Sequence, residues 1–193
     1  GYLITHILMK QTSSGSGVVL SQFWAKRIRR LVPALAAMVV VTLALSALIL
    51  SPFEWGALPR EAIAAGLYVS NIVFARAEVG YFDVHGVESP FLHTWSLGVE
   101  EQFYLLWPLL FVGVALLISP SKRRRGLLTL FGVGAAASFA LSLLLTRRGS
   151  PWAFFSLPTR AWEFAAAGIL AAVTVPQVLQ RPRVVNVLYG SGI

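Results

Sequence analysis

Residues 91–112 read FLHTWSLGVEEQFYLLWPLLFV, and this stretch decides how the rest of the chain is interpreted. Glu100 and Glu101 stand just before Leu105–Val112, an apolar run of the kind found inside membranes. A charged side chain at the centre of a bilayer costs about 2.5–3.5 kcal/mol on insertion scales, so carboxylates kept there usually serve a site or a pathway. We therefore expect a membrane helix here and a functional site at its start.

The composition predicts an integral membrane protein. Of the 193 residues, 56% are hydrophobic and 12% are charged, whereas soluble domains carry about 25% charged residues. We expect an all-α fold, a polytopic bundle of transmembrane helices. The 16 Lys and Arg residues outnumber the 8 Asp and Glu residues. Because the basic clusters flank apolar runs, they are typical of loops facing anionic lipid and argue against nucleic acid as a partner.

The apolar segments predict the order of the helices. Five of them are recognisable, at about 31–50, 57–75, 97–118, 126–145 and 160–175. Gly1–Thr5 resembles the tail of another apolar segment, and a last one starts after Arg181–Arg183. We therefore expect residues 1–193 to be a fragment of a larger membrane protein.

The basic clusters produce a conflict in the topology. Both Lys26–Arg30 and Lys122–Arg125 are predicted to be cytoplasmic, which requires an even number of crossings between them. Three apolar segments lie there. Segment 57–75, which is short and contains Arg60 and Glu61, is the one that we expect to be re-entrant or interfacial. Residues 51–90 would then lie largely on the outer side.

Helical periodicity groups the polar residues of the opening stretch. On a helix, His93, Ser96, Glu100, Tyr104 and Trp107 fall within an arc of roughly 80°. Ser96 and Glu100 are i,i+4 neighbours, close enough for a hydroxyl to donate to a carboxylate. Such a group could handle protons or position a substrate hydroxyl. Alternatively, the two glutamates simply begin a helix in water, where the helix dipole favours acids. Periodicity alone does not decide between these interpretations.

Two charged pairs also have helical spacing. Arg27 and Arg30 are i,i+3 neighbours, and their guanidinium groups could bind a phosphate or pyrophosphate bidentately. An ordinary positive-inside anchor is the alternative, and by spacing alone it is favoured. Arg160 and Glu163 are spaced in the same way, which indicates a buried structural clamp or the wall of a polar cavity, the clamp being favoured.

The chain offers no residue set that predicts a metal site. It contains no cysteine, which excludes a disulfide framework, a thiolate nucleophile and a cysteine-ligated metal. His6 and His85 have no partners at metal-ligand spacing. We therefore expect no bound metal.

These motifs resemble the acyltransferase 3 family, membrane-bound acyltransferases that modify sugars of bacterial envelopes. The resemblance is carried by LHTWSLGVEEQFYLLWP at residues 92–108 and, in register, by SQFWAKRIRRLVPA at residues 21–34. Further agreement lies at residues 68–71, 81–83 and 158–164, so the resemblance covers essentially the whole chain.

The resemblance implies roles for the paired residues. The family's Arg-x-x-Arg motif corresponds to Arg27 and Arg30 and implies contacts with the phosphates of acyl-coenzyme A at the cytoplasmic face. Its Ser-x-x-x-Glu motif corresponds to Ser96 and Glu100 and implies a position near the acceptor. The resemblance also implies that residues 1–193 are a partial membrane acyltransferase domain whose first helix and C-terminal helices lie outside this sequence. The family's candidate catalytic histidine lies in that first helix. His93 is therefore a neighbour of the Ser-x-x-x-Glu motif and a third catalytic candidate, not a replacement for that histidine. Arg160 and Glu163 are candidates for substrate binding.

We accordingly expect a multi-pass enzyme of the bacterial inner membrane that transfers an acyl group from acyl-coenzyme A to a carbohydrate hydroxyl. The expected acyl group is acetyl. Membrane lipid and the carbohydrate acceptor are the expected partners; the oligomeric state and the choice between direct transfer and an acyl-enzyme stay open. A secondary transporter would also bury Glu and Arg, but it would show inverted repeats, and none is visible. A non-catalytic membrane scaffold would tolerate the loss of Glu100.

Overall fold

The described part of the chain is built from helices. A computed structural model describes residues 1–13, 20–77 and 89–179. The predictions made for 81–83, His85 and 181–183 lie outside these residues. The helices are α1 (Tyr2–Ser13), α2 (Leu20–Ile49), α3 (Leu58–Gly66), α4 (Ser70–Arg76), α5 (Trp95–Leu117), α6 (Arg123–Arg147), α7 (Trp152–Phe155) and α8 (Leu157–Leu179), with 3₁₀ turns at Pro52–Trp55, Leu92–Thr94 and Pro120–Lys122.

Within the described residues, three helices are long and apolar enough to cross a membrane. They are α2, the continuous helix Leu92–Leu117, and α6. Each has at least 25 residues, and about 20 residues suffice to cross the hydrocarbon core. The all-α membrane bundle expected from composition is thereby confirmed, and the chain is part of a multi-pass membrane protein. Segment 160–175 forms most of α8; whether α8 crosses stays a prediction.

Segment 57–75 does not form one helix. It is divided into α3 and α4 by Leu67–Val69, where Tyr68 has a φ of 57° in the left-handed region. Helices of 9 and 7 residues are about 13 and 10 Å long, too short for either to cross a core of about 30 Å. Within the described residues, two candidate spans remain between the basic clusters, and the topology itself stays a prediction. Whether the segment is re-entrant or interfacial stays a prediction.

The chain divides into two compact units. The first, here named the site unit, comprises Val19–Trp107 and Ala140–Arg160; the second comprises Gly1–Val18, Pro108–Phe139 and Ala161–Ile193. In the second unit, Arg123 donates to the carbonyl oxygens of Ala115 and Ile118, at 2.8 and 3.2 Å, where α5 ends. This part of the second basic cluster therefore has a structural use, because it satisfies carbonyls that a helix end leaves without partners.

Candidate functional site

A cavity of about 440 Å³ lies within the site unit. Its walls come from the beginning of α2, from the break between α3 and α4, and from α5. The lining residues are Trp24, Arg27, Ile28, Leu67, Tyr68, Val69, Glu101, Gln102, Tyr104 and Leu105. The volume falls in the range of small-molecule sites, which are mostly apolar with a few well-placed polar groups.

Arg27 is held on one edge and on one face. Its Nη2 lies 2.6 Å from Oε1 of Glu101, and its Nε lies 3.5 Å from Oε2 of the same carboxylate. Its Cζ lies 3.4 Å from the centre of the Tyr104 ring. The side chains of the ion pair are 23% and 16% exposed, so water screens their attraction only partly. A bidentate ion pair combined with a cation–π contact fixes the guanidinium plane.

Helix α2 begins earlier than the sequence predicted. The apolar segment was expected to start at about residue 31, with the arginines at the helix start, whereas α2 starts at Leu20. Half-buried Trp24 donates its Nε1 to the carbonyl oxygen of Tyr104 at 3.3 Å and so attaches these first turns to α5. Arg30, one turn beyond Arg27, is exposed. The two arginines therefore share a helix but not an environment.

A pair of amides joins the break between α3 and α4 to α5. Gln102 donates its Nε2 to Oδ1 of Asn71 at 2.9 Å and to the carbonyl oxygen of Tyr68 at 3.1 Å. Asn71, which is 1% exposed, donates to the carbonyl oxygen of Phe155 at 3.1 Å. A buried amide with its partners in place holds surrounding elements in one arrangement. These bonds hold the left-handed turn at Tyr68 against the cavity.

Gly98 allows this close approach of helices. A Cβ at this position would lie 2.8 Å from Oδ1 of Asn71 and 3.0 Å from the carbonyl oxygen of Tyr68. The distance to Asn71 is shorter than real Cβ contacts, and the distance to Tyr68, whose oxygen belongs to the backbone, is tighter than most of them. The glycine between Ser96 and Glu100 is thus required by packing.

Tyr68 presents a neutral phenol at the cavity. Burial raises the pKa of this phenol above its ordinary value of 10.0, the Glu101 carboxylate raises it further, and the Arg27 guanidinium partly opposes both. The group therefore keeps its proton at neutral pH and can donate a hydrogen bond to a ligand.

The predicted catalytic residues lie on an exposed part of the site unit. His93 belongs to the 3₁₀ turn Leu92–Thr94 and not to the α-helix, which begins at Trp95. His93, Ser96 and Glu100 are all exposed. Within the described residues, Ser96 donates its hydroxyl to the carbonyl oxygen of His93 at 3.4 Å and not to the Glu100 carboxylate. Their catalytic roles stay predictions.

The ion pair brings together two motifs that the sequence placed apart. Arg27 was expected at the cytoplasmic face, and the motif of Ser96 and Glu100 near the acceptor. Glu101 directly follows Glu100, yet its carboxylate contacts Arg27. The residue of α5 that pairs with Arg27 of α2 therefore directly follows Glu100.

Arg160 and Glu163 both lie near the beginning of α8 and are half-buried. The Cζ of Arg160 is 5.2 Å from the centre of the Trp95 ring, close enough for a cation–π contact. This contact places Arg160 against the first residue of α5. The choice between a clamp and a cavity wall, and the role in substrate binding, stay predictions.

Among the described residues, no group of three His, Cys, Asp or Glu side chains could hold a metal ion.

Sequence reasoning missed several residues of the cavity. Glu101 was expected to serve a site only as a member of the Glu100–Glu101 pair and was assigned no individual role, and Tyr68 and Gln102 were assigned no role. A signal was present in Ser70 and Asn71, polar residues that interrupt an apolar segment. Both are 1% exposed, and Ser70 donates to the carbonyl oxygen of Thr94 at 2.9 Å.

Comparisons with known proteins give the relationships of the chain. A family model described as an acyltransferase domain, that of the acyltransferase 3 family, matches residues 1–189. The chain is 36% identical over 175 residues to the peptidoglycan O-acetyltransferase OatA of Listeria monocytogenes, and 34% identical over 182 residues to the O-acetyltransferase OatA of Staphylococcus aureus. These matches cover 90% and 94% of this chain but only 28% and 29% of the two relatives. No solved structure matches the chain.

Proposed function

The chain belongs to the acyltransferase 3 family, and from this premise we propose that it is part of a bacterial inner-membrane enzyme that transfers an acetyl group from acetyl-coenzyme A to a hydroxyl of a cell-envelope carbohydrate. The observation that carries the proposal is the family match over residues 1–189. The names of the two relatives support O-acetyl transfer, and the name of the Listeria protein suggests peptidoglycan as the acceptor.

In the proposed reaction, the acceptor hydroxyl oxygen forms a bond to the thioester carbonyl carbon while the carbon–sulfur bond breaks. The hydroxyl proton ends on the coenzyme A sulfur, so that the products are an acetyl ester and free coenzyme A. Ser96 and Glu100 are proposed to position the acceptor hydroxyl and the base that takes its proton. The same roles serve direct transfer and an acyl-enzyme route.

Arg27 and Arg30 are proposed to belong to the donor site. The cavity beside Arg27 supports this assignment, because it combines a fixed guanidinium with apolar walls. Exposed Arg30, on the next turn of α2, can reach a phosphate group in water.

The test is acetyl transfer by the full-length protein in nanodiscs, with radiolabelled acetyl-coenzyme A and soluble peptidoglycan fragments. We expect Ser96→Ala and Glu100→Gln each to lower turnover by about 100-fold or more, the scale of a lost proton-transfer or positioning group. Arg29→Gln is the control, because Arg29 is exposed and donates to the carbonyl oxygen of Ala25 in its own helix.

Each outcome of this assay is decisive. Transfer that survives both substitutions would remove Ser96 and Glu100 from the site. A folded wild-type protein that neither binds acetyl-coenzyme A nor transfers the label would favour a transporter or a scaffold.

A further inference from the structure

The charges that line the cavity cancel. Its charged lining residues are Arg27 and Glu101, and they form an ion pair. The remaining lining residues are apolar or neutral, and Tyr68 stays protonated at neutral pH. An anion that approached Arg27 would therefore also approach the carboxylate of Glu101, and like charges disfavour such an arrangement. The cavity suits an uncharged ligand.

The geometry of Arg27 points in the same direction. Glu101 occupies the edge formed by Nε and Nη2, and the Tyr104 ring covers one face of the guanidinium. A phosphate that binds this edge bidentately would have to displace Glu101 from a partly buried ion pair. Arg30 lies about 4.5 Å further along the helix axis and is exposed, so its guanidinium meets no such competitor in the cavity wall.

Acyl-coenzyme A itself has two chemically different parts. One is a nucleotide that carries phosphates; the other is an uncharged arm with two amides that ends in the thioester. Amides need hydrogen-bond partners in a site with apolar walls, and the cavity offers the Gln102 amide, the Tyr68 phenol and guanidinium N–H groups of Arg27.

We propose that Glu101 determines how the donor is bound: by neutralising and orienting Arg27, it reserves the cavity for the uncharged arm of the acyl donor and leaves the phosphates to Arg30. This inference rests on the proposed function and assigns different parts of the donor to Arg27 and Arg30 within its donor site. Glu101 and Tyr104 are positioning residues that act through Arg27.

The test compares two probes on the full-length protein in nanodiscs, acetyl-coenzyme A and S-acetyl-pantetheine, which has the acyl arm but no phosphates. We expect Arg30→Gln to weaken the binding of acetyl-coenzyme A by about tenfold and to leave the binding of S-acetyl-pantetheine unchanged. Arg27→Gln is expected to weaken both probes by the same factor. Arg29→Gln serves as the control for the loss of one positive charge on the same helix.

A second readout reports a gain of binding. Glu101→Gln leaves Arg27 with an uncompensated charge, so inorganic pyrophosphate should compete with S-acetyl-pantetheine about tenfold more strongly than in the wild type. A purely structural role of Glu101 predicts no such gain. The double variant Arg27→Gln/Glu101→Gln removes both charges, so the stronger competition by pyrophosphate should disappear again. It also tests the proposal should Arg27→Gln alone fail to fold.

The outcomes separate the two proposals. If Arg27→Gln weakens the binding of acetyl-coenzyme A but not that of S-acetyl-pantetheine, Arg27 binds phosphate. The proposed separation of the acyl arm from the phosphates is then wrong, while the assignment of the donor site stands. If Glu101→Gln leaves pyrophosphate competition unchanged, Glu101 does not control the charge of the cavity. If a folded wild type binds neither probe, the donor assignment itself fails and the proposed separation fails with it.

Discussion

The cavity around Arg27 and the exposed face formed by His93, Ser96 and Glu100 both include residues of α5, but these residues differ in exposure and in contacts. Glu101 is half-buried and paired with Arg27, whereas Glu100, one residue earlier, is exposed. Successive residues on a helix point about 100° apart, so a single step in sequence moves a carboxylate to a different side of α5. Two adjacent glutamates therefore occupy different environments, one in the cavity wall and one on the exposed face.

The same contrast separates the arginines. Arg27 contacts an acid and an aromatic ring inside the site unit, while Arg30 is exposed on the next turn. A motif of two arginines thus consists of one fixed group and one accessible group. The regions in which the pairs lie also meet, since Arg27 reaches the residue next to Glu100.

The largest expected effect breaks the packing that the cavity needs. Gly98→Val should lower the free energy of unfolding by about 3 kcal/mol, because a side chain has no room between Asn71 and the Tyr68 carbonyl. The matched control is Gly113→Val in the same helix, where nothing lies within 4 Å of an added Cβ. Thermal unfolding in detergent measures both. Equal losses in the two variants would contradict the close approach.

A smaller effect compares a buried polar group with an exposed one. Asn71→Ala should cost about 2 kcal/mol, because the Phe155 carbonyl and the Gln102 amide lose their partner in a buried place. Ser96→Ala removes a single 3.4 Å bond at the exposed face and should change stability by less than about 0.5 kcal/mol. The midpoint of chemical unfolding is the measurement. A stability loss in Ser96→Ala as large as that in Asn71→Ala would remove the distinction between the two regions.

The smallest effect concerns pH. Because the folded protein raises the pKa of Tyr68 above its ordinary value of 10.0, the unfolded chain ionises first as pH rises. The contribution of the neutral Tyr68 phenol to the free energy of unfolding is fully present below the unfolded-state pKa of 10.0. It is lost as the pH rises through the higher pKa of the folded state. Between pH 8 and 11, the wild type should therefore lose thermal stability relative to Tyr68→Phe, which has no phenol at this position. If the melting temperatures of the wild type and Tyr68→Phe changed equally with pH over this range, the phenol would have the same pKa in the folded and unfolded states, which would contradict the prediction.

Local pattern was sufficient for several features of the fold. The apolar runs predicted α2, α5 and α6 to within a few residues at most ends, because a lipid-facing helix must be apolar over its whole length. The charges Arg60 and Glu61, with the short length of segment 57–75, indicated correctly that this segment is not an ordinary span. With the arginines expected at the helix start, α2 begins earlier than predicted, at Leu20. Trp24, in these first turns, is attached by a contact with α5 that no local pattern contains.

The candidate site was predictable only in part. Helical spacing identified Arg27, Arg30, Ser96 and Glu100 as pairs, and the family resemblance gave them roles that stay predictions. Spacing could not identify the partner of Arg27, because Glu101 lies 74 residues away in sequence. Nor could it identify the hydrogen bond of Ser96, which goes to a backbone carbonyl in a 3₁₀ turn.

The sequence by itself determined the membrane setting, the family and the residue types available for chemistry, because hydropathy and short motifs are properties of neighbouring residues. Only the tertiary structure decided which of these residues meet: Arg27 with Glu101 and Tyr104, and Asn71 with Gln102 beneath Gly98. The physical reason is that long-range ion pairs and buried hydrogen bonds depend on helix rotation and close approach. Those are fixed by packing between distant segments, and their strength comes from the partial exclusion of water that this packing produces.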